Sequence, residues 1–188
     1  MVINEERPSF AERGFQAATM DDIAREAGFT KPILYQYFDS KTDLYREIVT
    51  QTGATLLANL VRAVSSVASP RAQIDVAFQV YFEMVVSETD AFRVLFIHSH
   101  EGETWRDLRA IERSLVSFLE PLIAVPISRE HRRQLAAGVV GIAEGAAIIW
   151  LEQQAAKGWP PPAPGAAQRL AERSATLAWG GLRTVQQD

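Results

Sequence analysis

The stretch MDDIAREAGFTKPILYQYFDSKTDLYREIV, residues 20–49, decides the fold. Two short amphipathic segments, Met20–Ala27 and a second that starts after Thr30, meet at Gly28. Thr19 and Thr30 are residue types that cap helix N-termini. Glycine readily adopts the left-handed conformation that ends many helices. The stretch therefore predicts two short helices joined by a tight turn.

The apolar residues of this stretch predict a small core, and its polar residues predict an exposed face. Inward positions are Ile23, Ala24, Ala27, Phe29, Leu34 and Phe38; outward positions of the second helix are Lys31, Pro32, Tyr35, Gln36 and Tyr37. A helix-turn-helix needs such an exposed face, because its second helix enters the major groove of DNA. Lysine and glutamine can reach base edges, and tyrosine hydroxyls can bond phosphates. A helical hairpin with half-buried tyrosines remains the alternative.

A family resemblance favours the DNA-reading interpretation. The sequence AERGFQAATMDDIAREAGFTKPILYQYFDSKTDLYREIV, residues 11–49, resembles the N-terminal domain of the tetracycline-repressor (TetR) family. The residues that carry it are Gly14-Phe15, Thr19, Ile23-Ala24, Ala27-Gly28, Leu34-Tyr35, Phe38 and Ser40-Lys41. The resemblance implies that Lys31 and Gln36 read bases. It also implies that the other residues at or near DNA are Thr19, Pro32, Tyr35, Tyr37 and Lys41.

Two features depart from the family pattern. The family's first helix usually begins well before the position of Phe10, whereas here a short helix from about Pro8 to Arg13 is predicted. Either the true start lies upstream, or this domain is trimmed. The second departure is charge, because residues 1–50 hold six Lys/Arg and nine Asp/Glu, a net charge of −3. Since phosphate neutralisation supplies most non-specific DNA affinity, weak and salt-sensitive binding is expected.

The rest of the chain predicts an all-α fold. Helical periodicity dominates, and no alternating strand pattern is apparent. A helix is predicted from Lys41 to the mid-50s, and others at 53–68, 71–89, 91–97, 104–123, 128–156 and 164–185, with the proline-rich segment 158–165 as a connector. The expected organisation is a helix-turn-helix domain over residues 1–50, then a helical effector-binding and dimerisation domain over 51–188.

Composition excludes several other classes of protein. The 188 residues include no cysteine, which fits a reducing cytoplasm. No signal-peptide pattern is visible, and the longest apolar run, residues 135–151, carries Glu144 and is predicted to be a core helix and no membrane span. The sequence lacks a glycine-rich phosphate loop, so no enzyme and no cofactor are predicted. The segment HSHEGE, residues 98–103, has no firm metal-ligand spacing, and no metal site is predicted.

The resemblance also implies an effector pocket after residue 50. The predicted ligand-binding residues are mostly aromatic: Phe78, Phe82, Phe96, His98, Trp105, Glu144 and Trp150. Such a lining suits a small hydrophobic molecule. Each aromatic residue can equally be plain core. Glu144 is costly in an apolar helix unless paired, so it is expected to bond the ligand or an internal partner.

The last two helices are expected to form a homodimer. Gly138, Gly141 and Gly145 make a stripe of small residues, and the last helix carries a face of Leu170, Ser174, Leu177 and Gly181. The resemblance implies a four-helix interface between two copies, with internal packing of a monomer as the alternative. The predicted function is a repressor that binds double-stranded operator DNA and is released by the effector. A ligand-binding or scaffold dimer with a decayed DNA-binding head is the second hypothesis.

Overall fold

A computed structural model describes residues 18–26, 28–96 and 103–185, and its regular elements are all helical. They are α1 (Met20–Glu26), α2 (Lys31–Tyr37), α3 (Lys41–Ser65), α4 (Pro70–Ser87), α5 (Thr89–Phe96), α6 (Glu103–Leu119), a 3₁₀ turn (Glu120–Leu122), α7 (Arg129–Ala156) and α8 (Ala166–Leu182). The prediction of an all-α fold is confirmed. The predicted helix from Pro8 to Arg13 lies outside the described residues.

Two predicted helix boundaries were wrong. The helix from Lys41 and the one predicted at 53–68 are a single helix, α3, that ends at Ser65. Glycine costs a helix only about 1 kcal/mol relative to alanine, so Gly53 does not end it. The helix predicted to reach residue 123 ends at Leu119 and continues as a 3₁₀ turn. Pro121 lies in that turn, and proline cannot donate the backbone hydrogen bond that an α-helix interior requires.

The chain divides into two compact units. One comprises Met1–Ala54 with Glu88–Ile111, and the other comprises Thr55–Ser87 with Glu112–Asp188. Two helices, α3 and α6, contribute residues to both units. A packing unit is not a functional domain, so the functional boundary near residue 50 stays a prediction.

In the first unit, the described core joins α1 and α2 to the first turns of α3. Ile23, Leu34 and Leu44 are fully buried, and Tyr45 is 1% exposed. Burial raises the pKa of the Tyr45 hydroxyl, and the nearby Asp107 carboxylate adds to this. Asp107 also pairs with Arg46 at 3.5 Å. Polar residues of α3 and α6 thus interact beside an apolar core.

In the second unit, α4 packs most extensively against α8. The buried side chains of α4 are large: Phe78, Tyr81, Phe82, Met84 and Val85. Those of α8 are small: Ala166, Ala171, Ser174, Ala175 and Ala178. Small side chains allow two helix backbones to approach closely, so the small residues of α8 leave room for the bulky residues of α4.

Helix α7 is buried along one face only. By length and composition it would suffice to cross a membrane, a test that core helices of globular proteins also pass. Its buried residues recur every three or four positions: Ala136, Val140, Ala143, Ala147, Trp150 and Leu151. Ile149, by contrast, is 54% exposed. One side of α7 is therefore packed into the core, as predicted, and the other side is exposed to solvent.

Candidate nucleic-acid interface and effector cavity

The turn between α1 and α2 has the geometry of a glycine-terminated helix. Gly28 has a φ of +70°, in the left-handed region that side chains other than glycine rarely adopt. The Phe29 amide donates to the Ala24 carbonyl at 2.8 Å, and the Gly28 amide donates to the Arg25 carbonyl at 3.3 Å. These bonds satisfy carbonyls that the end of α1 leaves open. The turn therefore sets where α2 begins.

The start of α1 is capped as the sequence predicts. The Asp22 amide donates to the Thr19 hydroxyl oxygen at 3.2 Å, and the Thr19 amide donates to the Asp22 carboxylate at 3.3 Å. The Thr19 hydroxyl also donates to that carboxylate at 2.6 Å. This reciprocal arrangement is a capping box with aspartate in the place of glutamate. Thr19 is exposed, so the cap leaves it accessible to a phosphate.

Helix α2 separates a buried anchor from an exposed outer face. Leu34 is fully buried, whereas its neighbour Tyr35 is 47% exposed and Tyr37 is 65% exposed. The other predicted reading residues, Lys31, Pro32 and Gln36, are exposed as well. The exposed parts of both tyrosine rings are available to a partner. Because Tyr35 is about half exposed, the hairpin interpretation with half-buried tyrosines remains the alternative.

Lys41 connects the start of α3 to the residue before Thr19. Its Nζ donates to the Ala18 carbonyl at 3.0 Å, and partial burial lowers the pKa of the ammonium group. A nearby phosphate would favour the charged form and oppose that shift. At the same helix start, the Asp43 amide donates to the Ser40 hydroxyl oxygen at 3.1 Å. The predicted cap at Ser40 is thus present, and Lys41 lies beside it.

Lys31 has an internal acidic partner. Its Nζ contacts the Asp21 carboxylate at 2.8 Å, and both side chains are exposed. The hydrogen bond and the charge of Asp21 raise the pKa of Lys31. Asp22 likewise contacts Arg25 at 2.6 Å. The acidic balance of this region is therefore partly explained by residues that cap α1 or neutralise its few cations.

The second unit contains an apolar cavity of about 360 Å³. Its walls come from four parts of the chain. These are α4, the C-terminal end of α6 together with the connection after it, α7, and the C-terminal end of α8. The lining residues are Pro70, Gln73, Ile74, Ala77, Phe78, Leu119, Leu122, Ile123, Ala124, Val125, Val139, Trp179, Leu182, Arg183 and Val185. Gln73 and Arg183 are the polar members of this set, and the Arg71 guanidinium lies 5.9 Å from the centre of the Trp179 ring.

A narrow extension of about 40 Å³ adjoins the cavity. The two spaces share Ala77, Phe78, Leu119 and Val139, and the extension is also lined by Leu60, Tyr81, Leu115, Val140 and Ala143. Burial raises the pKa of the Tyr81 hydroxyl, and the Glu144 carboxylate contributes to the shift. The walls of both spaces are mostly apolar.

The predicted ligand-binding residues do not converge on this cavity as a set. Phe78 lines it, whereas Phe82 is fully buried in the core and Trp150 is 8% exposed on α7. Glu144 is half-buried on α7, and Phe96 lies in the first unit, with its ring centroid 5.9 Å from that of Phe92. His98 and the Trp105 side chain lie outside the described residues. The role of these residues as ligand contacts stays a prediction.

Sequence reasoning missed most of the cavity wall. Residues Leu119–Val125 were predicted to be helix end and connection, yet five of them line the cavity with apolar side chains. The last helix, predicted over 164–185, was considered only for dimerisation, yet Trp179 and Arg183 line the cavity as well. The one local signal was the run of apolar residues around Pro121, which is unusual for an exposed connection.

The predicted absence of a metal site at HSHEGE, residues 98–103, stays a prediction. The described residues contain no group of three or more His, Cys, Asp or Glu side chains that would hold a metal ion. Most of HSHEGE lies outside those residues.

Known proteins share both the head and the helical remainder of this chain. The family model described as bacterial regulatory proteins, tetR family, matches residues 7–48. The HTH-type transcriptional activator FasR of Mycolicibacterium smegmatis is 28% identical over 180 residues, which are 94% of this chain and 78% of FasR. This similarity extends well past residues 7–48 into the rest of the chain.

Two solved structures share the fold. FadR from Bacillus subtilis, in complex with stearoyl-CoA, has a TM-score of 0.80 at 14% identity, covering 96% of this chain and 97% of FadR. AibR, in complex with isovaleryl coenzyme A and operator DNA, has a TM-score of 0.67 at 18% identity, covering 93% and 95% of the two chains.

The fold and the head together define a helix-turn-helix DNA-binding transcriptional regulator. More narrowly, residues 7–48 match the TetR family, and the similarity to FasR covers 94% of the chain. The family resemblance read from residues 11–49 is confirmed.

Proposed function

We propose that this protein binds operator DNA through the outer face of α2 and releases it when an apolar effector fills the cavity. The observation that carries the proposal is the contrast within α2, where Leu34 is fully buried and Tyr35 and Tyr37 are exposed. A buried anchor holds the helix, and its polar and aromatic face is left for a partner. A recognition helix requires this division.

Each residue of the head takes a distinct role in this proposal. Lys31 and Gln36 read base edges in the major groove, since both side chains carry hydrogen-bond donors of suitable length. The tyrosines Tyr35 and Tyr37, together with Thr19 and Lys41, hold phosphates. Pro32 shapes the first turn of α2, where its missing amide donor is not needed. These contacts position the head before any base is read.

The effector is proposed to be a fatty acyl thioester. The cavity is mostly apolar, and about 360 Å³ lies within the usual size range for small-molecule sites. Gln73 and Arg183 offer polar contacts for the thioester end. The relatives FadR and AibR, whose structures contain acyl-coenzyme A ligands, share this fold and support the same ligand class.

A homodimer through α7 and α8 completes the proposal. Ile149 on α7 is 54% exposed and Leu177 on α8 is 66% exposed. Gly138, Gly141 and Gly145 are exposed, and a Cβ added to any of them would meet no atom within 4 Å. Ser174 was predicted to belong to the dimer face of α8, but it is buried within the chain. The open faces of both helices suit a two-fold partner, which an operator of two half-sites requires.

Regulation in such a dimer is a shift between two spacings of the reading heads. Heads that reach successive major grooves must lie about 34–36 Å apart. A ligand that binds more tightly to a conformation with another spacing shifts the dimer toward that conformation, and the dimer dissociates from the operator. Helix α3 carries residues of both compact units and is the element assigned to transmit this shift. The protein would act in the cytoplasm as a regulator without catalytic activity.

Fluorescence anisotropy with the protein's own upstream DNA tests the proposal. Tyr35→Phe and Lys41→Ala are expected to weaken binding relative to wild type, with a scrambled duplex and several salt concentrations as controls. Stearoyl-CoA is then expected to release the operator. Absence of binding even at low salt would contradict the DNA-reading function and favour a ligand-binding dimer with a decayed head.

The direction of regulation has two candidates. Repression remains the prediction, because release by an effector turns a blocked promoter on. Activation is favoured by FasR, which is described as a transcriptional activator. A promoter fusion compared with and without the protein separates the two, since a repressor lowers the basal signal and an activator raises it.

A further inference from the structure

A second cleft in the effector half is basic. It has a volume of about 450 Å³ and is lined by Ser117, Glu120, Pro121, Arg129, Arg132 and Arg133. The three arginines lie within five residues of α7. We refer to this site as the arginine cleft. Nothing in the proposed DNA-binding or apolar-effector functions uses it.

The arginine cleft carries more positive charge than its own acid neutralises. Glu120 contacts Arg129 at 3.0 Å and Arg133 at 3.6 Å. Three guanidinium groups against this one carboxylate leave a net charge of +2. Arg129 and Arg133 have side chains 85% and 48% exposed, so both remain accessible to a ligand. Convergent guanidinium groups bind phosphate with paired hydrogen bonds.

Arg132 supplies the third cation from a fixed position. Its Nη2 donates to the Val125 carbonyl at 3.0 Å and to the Ile127 carbonyl at 3.3 Å. Its Nε is buried and has no hydrogen-bond partner among the described residues. The two carbonyl contacts hold the guanidinium of Arg132 in place at the cleft wall.

The arginine cleft and the apolar cavity use the same short segment of chain. Leu119, Leu122 and Ile123 line the cavity, whereas Glu120 and Pro121 line the cleft. Val125, whose carbonyl accepts from Arg132, is also a cavity residue. The 3₁₀ turn Glu120–Leu122 therefore forms part of both sites.

We infer that the arginine cleft binds a phosphate or diphosphate group. The anion competes with Glu120 for Arg129 and Arg133, and the positive charge of Arg132 at the cleft wall adds to its attraction. Two sources share this chemistry: a free phosphorylated molecule, or the phosphates of a ligand whose apolar part occupies the cavity. The second source rests on the proposed acyl-thioester function, and the first does not.

Titration of the full-length protein with pyrophosphate at constant ionic strength tests the site. Calorimetry is expected to show saturable binding that weakens at least 10-fold in the double variant Arg129→Gln/Arg133→Gln. Glu120→Gln removes the competing carboxylate and is expected to bind several-fold more tightly. The matched control Arg106→Gln/Arg173→Gln removes two exposed arginines elsewhere and should bind as wild type does.

Equal pyrophosphate affinity in all four proteins would overturn the inference, because the effect would then be one of ionic strength alone. Absence of saturable binding to the wild type would overturn it too. Thermal unfolding of each variant without ligand checks that the fold is retained. The opposite directions expected for the Glu120 and arginine variants cannot both arise from a general loss of structure.

Competition experiments separate the two sources. If pyrophosphate and palmitate bind together without competition, and stearoyl-CoA displaces both, a single ligand spans the cavity and the cleft. If stearoyl-CoA displaces palmitate alone, the cleft serves a free phosphorylated molecule. Either result retains the anion site, and operator binding, measured separately, reports on the DNA function independently.

Discussion

The reading head and the apolar cavity differ in how their residues come together. In the head, Thr19, Lys31, Gln36 and Lys41 lie within 23 residues and are positioned by local caps and one glycine turn. The cavity draws its walls from residues between Pro70 and Val185, on helices distant in sequence. A local motif displays its function in the sequence, whereas a site built by packing across helices does not.

The two regions also respond differently to mutation. Reading residues are exposed, so their replacement should change DNA affinity and leave stability almost unchanged. Cavity residues belong to the packed second unit, where side-chain volume matters for both folding and binding.

The largest expected effect separates the anchor of α2 from its reading face. Leu34→Ala should lower the free energy of unfolding by about 2–5 kcal/mol, because it removes a fully buried side chain. Tyr37→Ala, at a 65% exposed position, should change it by about 0.5 kcal/mol or less and still reduce operator binding. Chemical denaturation measures the free energy of unfolding, and fluorescence anisotropy measures operator binding. Equal destabilisation by the two variants would refute the division of α2 into a buried anchor and an exposed reading face.

Filling the cavity should abolish the ligand response alone. Ala77 lines both the cavity and its extension, and Ala77→Phe places a ring in the shared space. If occupation of this space costs ligand binding the same amount that overpacking costs a core, about 1–3 kcal/mol, stearoyl-CoA should bind about 5- to 150-fold more weakly. Operator affinity without ligand should stay at the wild-type value. A variant that loses operator binding but keeps ligand affinity would reverse the assigned roles.

A tight crossing of α3 and α6 in the first unit gives the next effect. A Cβ at Gly53 would lie 2.6 Å from both Cγ1 and Cδ1 of Ile111. Gly53→Ala should therefore destabilise by about 1–3 kcal/mol, although alanine normally favours helices. Adding Ile111→Val, which removes Cδ1, should recover part of the loss in thermal unfolding. No recovery in the double variant would mean that the contact is not the cause.

Helix capping in the head predicts a smaller difference. Thr19→Ala should cost about 1 kcal/mol, because the Thr19 hydroxyl accepts from the Asp22 amide. Thr30→Ala is the matched control, since the Thr30 side chain makes no cap hydrogen bond. Urea midpoints compare the two. A larger loss at Thr30 would contradict the capping assignment.

The smallest effect concerns the charge of the head. Asp21→Asn frees Lys31 from its exposed acidic partner and should strengthen operator binding by about two- to fivefold at low salt, with less effect at high salt. Asp39→Asn removes an exposed acid elsewhere in the head as a control for net charge. An equal gain from both variants would show that overall charge, and not release of Lys31, determines affinity.

The sequence predicted the head in detail but not its internal contacts. The cap at Thr19, the turn at Gly28 and the buried Ile23, Ala24, Leu34 and Phe38 follow from residue types at short spacing. The cap predicted at Thr30 was wrong, because the Thr30 side chain makes no cap hydrogen bond. The pair Asp21–Lys31 spans ten residues and depends on how α1 and α2 pack. Periodicity within one helix contains no information about contacts between two.

The effector half was predicted at the level of helices only. Aromatic residues were chosen as ligand contacts because of their size, and Phe78 lines the cavity while Phe82 is plain core. Both lie on the buried part of α4, one turn apart. Which of them borders empty space depends on the neighbouring helices and not on α4 itself.

The sequence by itself determined the all-α class, the helix-turn-helix and the family, because caps, glycine turns and helical periodicity act over a few residues. Only the tertiary structure decided where the cavity lies, that Lys31 is paired, and that Arg129, Arg132 and Arg133 share a cleft with Glu120. The physical reason is that these features are produced by packing between separate helices and turns. Side-chain volume and charge at such distances leave no periodic signal in the sequence.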